Sequence, residues 1–535
     1  AGAGLTNGYF IVGWGNTLYD YSGIQWSQDI RNCGTCHQED DATVPQASNW
    51  RKTVTAEACG SCHDDIDFPT GVGHGGITVT NNRDCQVCHG PNSTFVGGTL
   101  RAEIAHKIPA QEAAKKIRYE VLSVTNSAPG QFPVLTVRVT DPTNNNQPYD
   151  FSGPTPWTGL PGSNLRVDLA WPTVPDYTNR DGNTSNAQGQ RIEVQFANNG
   201  VLSAGVTINP DGSLTRTSTV AIPASATGTG FAILEGRGVI DFNGNGVIES
   251  ASERIPVTAS GIYFRITGTS TVERRDVVAW TKCDDCHNPL SIHGGARTNN
   301  PELCSTCHNP VAVGRARSTD PTRPEGSIDL KVMAHAIHAG TYQVSNWGFD
   351  TGSPYPGRLN NCEGCHLTNK FYPVDATKVL GSSFRAGPSS ATFSDDLAVT
   401  PNAAVCGGCH LPHDPANPKA GGLLGAIQDE LAGRATSVAA AHIRQNGGSF
   451  AATRNADGTL VGPIETCALC HGPGQVSDIR VKHKIDQFVD NGRPVWRRVP
   501  EAPGAGLSQG RSARGAPFSS ATEVALRQLR IHSSH

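Results

Sequence analysis

Between about residues 115 and 280, apolar and polar residues alternate in short runs. Val134–Val139 reads VLTVRV, Leu165–Leu169 reads LRVDL, Arg191–Phe196 reads RIEVQF and Gly261–Thr267 reads GIYFRIT. A period of two marks strands with one face buried, and the Gly, Pro, Asn and Asp clusters between the runs mark turns. The pattern predicts an antiparallel β-sandwich or barrel. The stretches on either side keep neither period and read as short helical turns and loops. Residues 490–518 are rich in Pro, Gly and Arg, which predicts an extended arm. Ser520-Ala521-Thr522-Glu523 then forms a capping box before Val524, Leu526 and Leu529. That predicts a short helix ending in His532-Ser533-Ser534-His535.

Composition sharpens this picture. The 535 residues carry a formal charge of −4 without a Lys/Arg block, which argues against a nucleic-acid partner. No apolar run approaches the roughly 18 residues of a membrane span. The start of the chain lacks a signal pattern, so the numbering reads as that of a processed, mature chain. Ala1 in place of Cys argues against a lipid-anchored N-terminus. Sixty glycines, 35 prolines and one methionine make a loop-rich chain that fills a large core poorly. Another source of apolar bulk is required.

All sixteen cysteines fall in Cys-x-x-Cys-His units. These are Cys33, Cys36, His37; Cys59, Cys62, His63; Cys85, Cys88, His89; Cys283, Cys286, His287; Cys304, Cys307, His308; Cys362, Cys365, His366; Cys406, Cys409, His410; and Cys467, Cys470, His471. The unit is the attachment signature of c-type haem. Two thioethers hold the vinyl groups, and the adjacent imidazole ligates the iron. Disulfides leave the histidines unexplained, and zinc sites space their ligands more loosely. Eight units predict eight c-type haems, numbered 1 to 8 in chain order. Haem attachment follows export, so the expected location is extracellular or at the cell surface.

Ten histidines lie outside these units: His74, His106, His293, His335, His338, His413, His442, His483, His532 and His535. Eight irons need eight distal ligands, and the single Met333 cannot supply them. Bis-histidine iron is therefore expected. It has no open position, which favours electron transfer over enzyme catalysis. The expected distal ligands are His74, His106, His293, His335, His338, His442 and His483, with one of His532 and His535. His413 stands three residues after His410, too close to cap that iron, and reads as a loop residue. A separate candidate for calcium is the D-x-N-x-N-G run, with Asp241, Asn243, Asn245, Val247 and Glu249 as its ligands. Ser252 stands where the twelfth-position Glu would be, and an Asn-Gly hairpin turn is the competing reading.

The expected organisation is a trihaem module at 1–112, a haem-free β-domain at 113–280, a pentahaem module at 281–488 and a C-terminal arm at 489–535. The fold class is then a multihaem cytochrome whose loop and short-helix haem modules flank an antiparallel β-sandwich or barrel.

Residues about 115–485 resemble the C-terminal half of the OmcA/MtrC-type outer-membrane decahaem cytochromes of metal-reducing bacteria. The strings that carry the likeness are LRVDLAWPTVPDYTN, RRDVVAWTKCDDCHNPLSIHGGAR, MAHAIHAG, CALCHGPG and VKHKI. The resemblance implies alternating β and pentahaem modules that pass electrons at the cell surface to minerals or other acceptors. Other multihaem cytochromes are the implied partners. This chain has eight motifs rather than ten, lacks a first β-domain and carries an unfamiliar C-terminal arm.

The first haem segment repeats the last. Cys59–His63, His74, Cys85–His89 and His106-Lys107-Ile108 run in the order of Cys406–His410, His442, Cys467–His471 and His483-Lys484-Ile485. Five haems in 281–488 have five spare histidines. Three haems in 1–112 have only His74 and His106, because a counterpart of His335-x-x-His338 would fall just before residue 1. The tail's His532-x-x-His535 supplies the same pattern. A neighbour's His535 placed before Ala1-Gly2 would recreate the His-Ala-Gly join that follows His338. The expectation is a head-to-tail homopolymer for long-range extracellular electron transfer, the tail of one copy ligating haem 1 of the next or looping back within its own chain. The alternatives are a monomeric surface reductase of metals or other acceptors, and a multihaem enzyme with haem 1 open.

Overall fold

The computed structural model describes residues 2–24, 26–180, 189–242, 244–248, 253–313, 326–340, 357–375, 378–385, 396–414, 417–434, 437–455, 459–462, 464–490 and 493–494. They fall into two compact units, one ending at Lys107 and one beginning at Ile108.

The first unit holds a hairpin of β1 (Phe10–Val12) and β2 (Leu18–Asp20) and four short helices. These are α1 (Asn49–Lys52), α2 (Ala56–Gly60), α3 (Asn82–His89) and α4 (Ala102–Ala105). Polar ties set their positions. Asp64 accepts the N–H groups of Thr6 at 3.0 Å and Asn7 at 2.6 Å, and Arg51 pairs with Glu39 at 2.6 Å and Glu103 at 3.3 Å. Thr55 caps α2 and Asn81 caps α3, each accepting a first-turn N–H. Among the described residues, only isolated small or medium apolar side chains such as Ala47, Val54, Val79 and Ala102 are buried here. A unit of this size needs more apolar burial than that, which fits a core supplied by haem.

The second unit opens with α5 (Pro109–Ala114) and continues into a sandwich of two antiparallel sheets. Its strands are β3 (Arg118–Thr125), β4 (Val134–Asp141), β5 (Gln147–Pro148), β6 (Asn164–Ala170), β7 (Ile192–Asn198), β8 (Val201–Leu202), β9 (Thr207–Ile208), β10 (Leu214–Thr217), β11 (Thr229–Val239), β12 (Arg254–Ile255) and β13 (Ser260–Arg265). One sheet runs β3-β4-β10-β9 with β5 on β4, and the other runs β12-β11-β6-β7-β8 with β13 on β11. Alternate residues fill the space between them. Leu135, Val137 and Val139 meet Leu165, Val167, Leu169, Ile192, Val194, Phe196, Ala232 and Leu234. Trp157 lies at the centre and donates its Nε1–H to the Tyr119 hydroxyl at 3.1 Å, which satisfies a buried indole.

The outer face of the second sheet is not open to water. Two short strands, β14 (Ser291–Ile292) and β15 (Arg297–Thr298), follow α6 (Trp280–His287), and α7 (Pro301–Cys307) comes next. Leu303 of α7 packs against Ala170, Phe231 and Ile233 on that face, and all four are buried. The string PDYTN makes the polar seam. Asn179 donates to the Thr306 carbonyl at 2.7 Å, the Tyr177 hydroxyl bonds Glu302, and Asp176 pairs with Arg274 and Arg275 at 2.7 Å each. Burial pushes the Asp176 carboxyl up, but the two guanidinium groups outweigh it and hold it at about 2. Beyond this seam, α8 (Leu330–His338), α9 (Pro401–His410), α10 (Gly422–Ala432) and α11 (Val438–Gln445) close a smaller core around Val332, Ala404, Leu423, Ile443 and Phe450. The helices α12 (Ala468–His471) and α13 (Ile479–Lys482) come last.

An antiparallel sheet with one wet face would tolerate truncation there within about 0.5 kcal/mol. Ile233→Ala is instead expected to cost about 2–5 kcal/mol in urea unfolding of the holoprotein, because the α7 side is packed. A cost below about 0.5 kcal/mol would refute the covered face.

Candidate haem sites

Each Cys-x-x-Cys-His unit forms one helical turn. The unit lies inside α3, α6 and α9, ends α2 and α7, and forms α12 or a 3-10 turn elsewhere. The His N–H bonds the carbonyl of the first Cys at 2.8 Å in Cys33–His37, 2.9 Å in Cys59–His63, 2.8 Å in Cys304–His308, 3.0 Å in Cys362–His366 and 2.9 Å in Cys467–His471. Residues i, i+3 and i+4 of such a turn share one face, so two thiols and an imidazole project together. All sixteen cysteines are free of disulfides. Burial pushes the Cys283, Cys304 and Cys406 thiols up to about 12. Among the described residues, no group of three or more His, Cys, Asp or Glu side chains converges as a metal cluster.

The histidines face one another in pairs. Ring centres lie 6.2 Å apart in His63–His106 and His74–His89, 6.2 Å in His287–His338, 6.0 Å in His293–His308, 5.9 Å in His335–His366 and His410–His483, and 6.0 Å in His442–His471. Two imidazoles bound from opposite sides of one metal, each at about 2 Å, have ring centres about 6 Å apart. Each pair joins one motif histidine to one spare histidine, and the seven spares used are the seven expected outside the tail. The repeat holds at this level too: His63–His106 matches His410–His483, and His89–His74 matches His471–His442.

The second nitrogen of most rings is also placed. Nδ1 lies 3.1 Å from the Ala47 carbonyl in His37, 2.9 Å from Ile77 in His74, 2.8 Å from Leu100 in His89, 2.8 Å from Ile328 in His308 and 3.0 Å from Ser477 in His471. Four distal rings use the carbonyl four residues back. His106 bonds Ala102 at 2.8 Å, His335 bonds Lys331 at 2.5 Å, His338 bonds Ala334 at 2.6 Å and His483 bonds Ile479 at 3.0 Å. In His106 and His483 the same carbonyl also accepts the residue's own backbone N–H, at 3.2 and 2.9 Å, so the helix backbone fixes the ring with Nε2 outward. Nothing in the side-chain sequence signals these carbonyls. Burial lowers His335 and takes His366 down to about 4, which keeps both rings neutral as metal ligands require.

His37 faces no second imidazole among the described residues. His413 opens a two-residue strand, His413–Asp414. His532 and His535 lie outside the described residues, as do the capping box and the helix expected before them. In the calcium candidate, the Asp241 carboxylate accepts the N–H groups of Gly244 at 2.7 Å and Gly246 at 2.6 Å, and Asn245 accepts that of Val247 at 2.8 Å. Asn243 and Glu249 lie outside the described residues.

Known proteins supply the remaining context. Residues 15–100 and 275–484 match the family model of the outer membrane cytochrome MtrC/MtrF-like domains II/IV. The two matched segments are the two haem-motif regions. The multiheme cytochrome MtrC of Shewanella baltica (strain OS185) is 24% identical over 477 residues, covering 85% of this chain and 61% of the relative. The crystal structure of the outer membrane decaheme cytochrome OmcA aligns with a TM-score of 0.56 and 21% identity, over 89% of this chain and 63% of that one. The crystal structure of MtrC from Shewanella baltica OS185 aligns with a TM-score of 0.47 and 20% identity, over 73% of this chain and 60% of that one. The chain thus spans about three fifths of the length of these relatives. With its motif turns, its paired imidazoles and a family model matching both haem-motif regions, the chain belongs to the outer membrane cytochrome MtrC/MtrF-like family of multihaem c-type cytochromes.

Proposed function

We propose that this protein binds eight c-type haems, each iron held by two histidines, and carries electrons over long distances outside the cell or at its surface. The observation that carries the reading is the set of seven imidazole pairs at about 6 Å, one for each motif from haem 2 to haem 8. Iron with two protein ligands has no position for substrate and so exchanges electrons only. The names of the similar proteins, multiheme and outer membrane decaheme cytochromes, support the same activity and location. Other multihaem cytochromes and extracellular acceptors are the proposed exchange partners.

We further propose that haem 1 takes its distal ligand from the C-terminal His532-x-x-His535 of a neighbouring copy. His37 is already oriented by the Ala47 carbonyl, as a ligating histidine is. In the repeat, the haem 6 position matching haem 1 takes His335 from an HxxH on α8. Ile485–Phe488 forms a 3-10 turn and Val489–Asp490 pairs with Arg493–Pro494 as a hairpin, and the roughly 25 residues from 495 to 519 would reach up to roughly 80 Å if extended. A donated ligand makes a heterologous contact, which builds an open filament where the rotation does not close a ring. The second reading, a reductase or enzyme with haem 1 open to acceptor, rests on the same unpaired His37.

Two measurements decide these points. Low-temperature EPR of the assembled protein should show only low-spin iron; His442→Ala should convert one haem in eight to high spin, while His413→Ala should convert none. Conversion by His413→Ala, or none by His442→Ala, would overturn the ligand assignment. Replacing both His532 and His535 by Ala should leave one further haem high-spin and abolish filaments seen by electron microscopy. Unchanged spectra and intact filaments in that double variant would remove the tail as donor. One high-spin, cyanide-binding haem in the wild-type protein would instead favour the open-haem reading.

A further inference from the structure

The outer face of the sheet β11-β6-β7 carries a ladder of charge. Register places Asp168 opposite Ile233 and Glu193, and Arg166 opposite Glu235, all pointing to the α7 side. Arg166 bonds Glu235 and lies 3.3 Å from Glu193. Arg191 lies 3.2 Å from Asp168 and 2.6 Å from Glu193, and Arg297 of β15 lies 3.4 Å from Glu235. The Asp168 and Glu235 side chains are fully buried. Three carboxylates face three guanidinium groups, yet the satisfaction is incomplete. Both Asp168 oxygens and Glu235 Oε2 have no hydrogen-bond partner, nor have Arg191 Nε and Arg297 Nε. A buried carboxylate oxygen without a donor is costly; a proton on it would lower that cost.

This ladder lies under one haem site. Leu303 packs on the same sheet face, and the next residue is Cys304. The Cys304 thiol feels the charges of Arg297 and Glu235, and the Cys307 thiol those of Arg191, Asp168 and Arg297. Arg297 also follows the His293 loop by four residues, and His293 faces His308. The elements that hold haem 5 therefore pack against the strands that carry the carboxylates.

We propose that the buried Asp168–Glu235 carboxylate pair takes up one proton when haem 5 is reduced, making electron transfer through that haem proton-coupled. The inference rests on reading Cys304, Cys307, His293 and His308 as a haem site. In the coupled step the iron gains one electron from its donor, Fe(III) becoming Fe(II), and one proton from solvent adds to a carboxylate oxygen, so the net charge of the site is unchanged. Low local dielectric makes the loss of a positive charge at the iron strongly felt by a nearby anion. Glu235 is the proton acceptor because it is fully buried beside a second carboxylate, Asp168, and its Oε2 has no hydrogen-bond donor. Burial first, then the charge of Asp168, push its carboxyl up to about 7 against the pull of Arg297 and Arg166. The other groups close enough to feel its charge are Tyr119 on β3, Arg191 just before β7, and Cys304 on α7.

The sign follows from the raised carboxyl. Below about pH 7 the proton is bound in both redox states, and the potential is flat. Above it, the oxidised site is deprotonated, reduction binds a proton, and the potential falls as pH rises. The test uses the full-length holoprotein after its haem content has been counted by pyridine haemochrome. Fewer than eight haems, with Cys304 and Cys307 unmodified by mass spectrometry, would refute the haem reading itself. With haem present, the reduced-minus-oxidised infrared spectrum at pH 8 should show a protonated carboxyl band appearing on reduction; its absence would overturn the proposal without any variant. Glu235→Gln should lose that band and hold one of the eight redox components at its low-pH potential from pH 6 to 9. Asp168→Asn should move the onset of the fall to lower pH. A band or a pH slope that survives Glu235→Gln would place the proton elsewhere and refute the assignment.

Discussion

The geometry of this protein depends on pairs of imidazoles held about 6 Å apart across room for one iron. Each pair is built from two local devices. A single helical turn brings two cysteines and a histidine to one face, and a helix end or tight loop presents the second ring. Neither device has intrinsic stability at this length, since helices of four to ten residues are marginal alone. A haem shared by the two would hold both. The first unit, with few buried apolar side chains of its own, shows the dependence most clearly.

Much of this was legible in the sequence, for physical reasons that differ from place to place. The motif turns and the seven paired spare histidines could be read because ligand chemistry needs fixed residue types at fixed spacing. Strands at 134–141, 164–170, 192–198 and 260–265 could be read because each turns mostly apolar residues to one side and polar ones to the other, which keeps a period of two. The long strand Thr229–Val239 was not singled out, because it is buried on both faces and its run TGFAILEGRGV loses the alternation. The pairing of His335 with His366 and of His338 with His287 was also hidden. Both histidines of the HxxH lie on α8, three residues apart, and only the tertiary fold decides which motif each one meets.

The charged residues of LRVDL and RIEVQF give the opposite lesson. On a strand with one apolar face, Arg166, Asp168, Arg191 and Glu193 look like the solvated side. They are instead buried beneath the helix that carries the Cys304–His308 motif, because α7 lies over them. A charge-bearing face can be buried when its charges are paired on the sheet itself, and here the pairing uses three arginines, whose planar forks suit carboxylates in low dielectric. The seam of Asp176, Tyr177 and Asn179 makes the same point from the other end of the string. These residues serve neither strand nor iron directly, yet they fix α7, and α7 carries two thiols and sets up His308.

The same logic orders the hydrogen-bond partners of the spare imidazoles. Four distal rings bond the carbonyl one turn back, so the direction of the ring is set by the backbone of its own helix and not by another side chain. A ligand oriented this way travels with its helix as a unit. Any segment that ends a short helix in a histidine can present a ring in the same direction, whether the helix belongs to the same stretch of chain or to a distant one. His106, His338 and His483 do so after the motifs they pair with, each with another motif in between, and His335 does so before its own. The distal ligand is thereby separable from the motif it completes, and this separability lets one haem-binding plan be repeated along the chain with its pieces in different places.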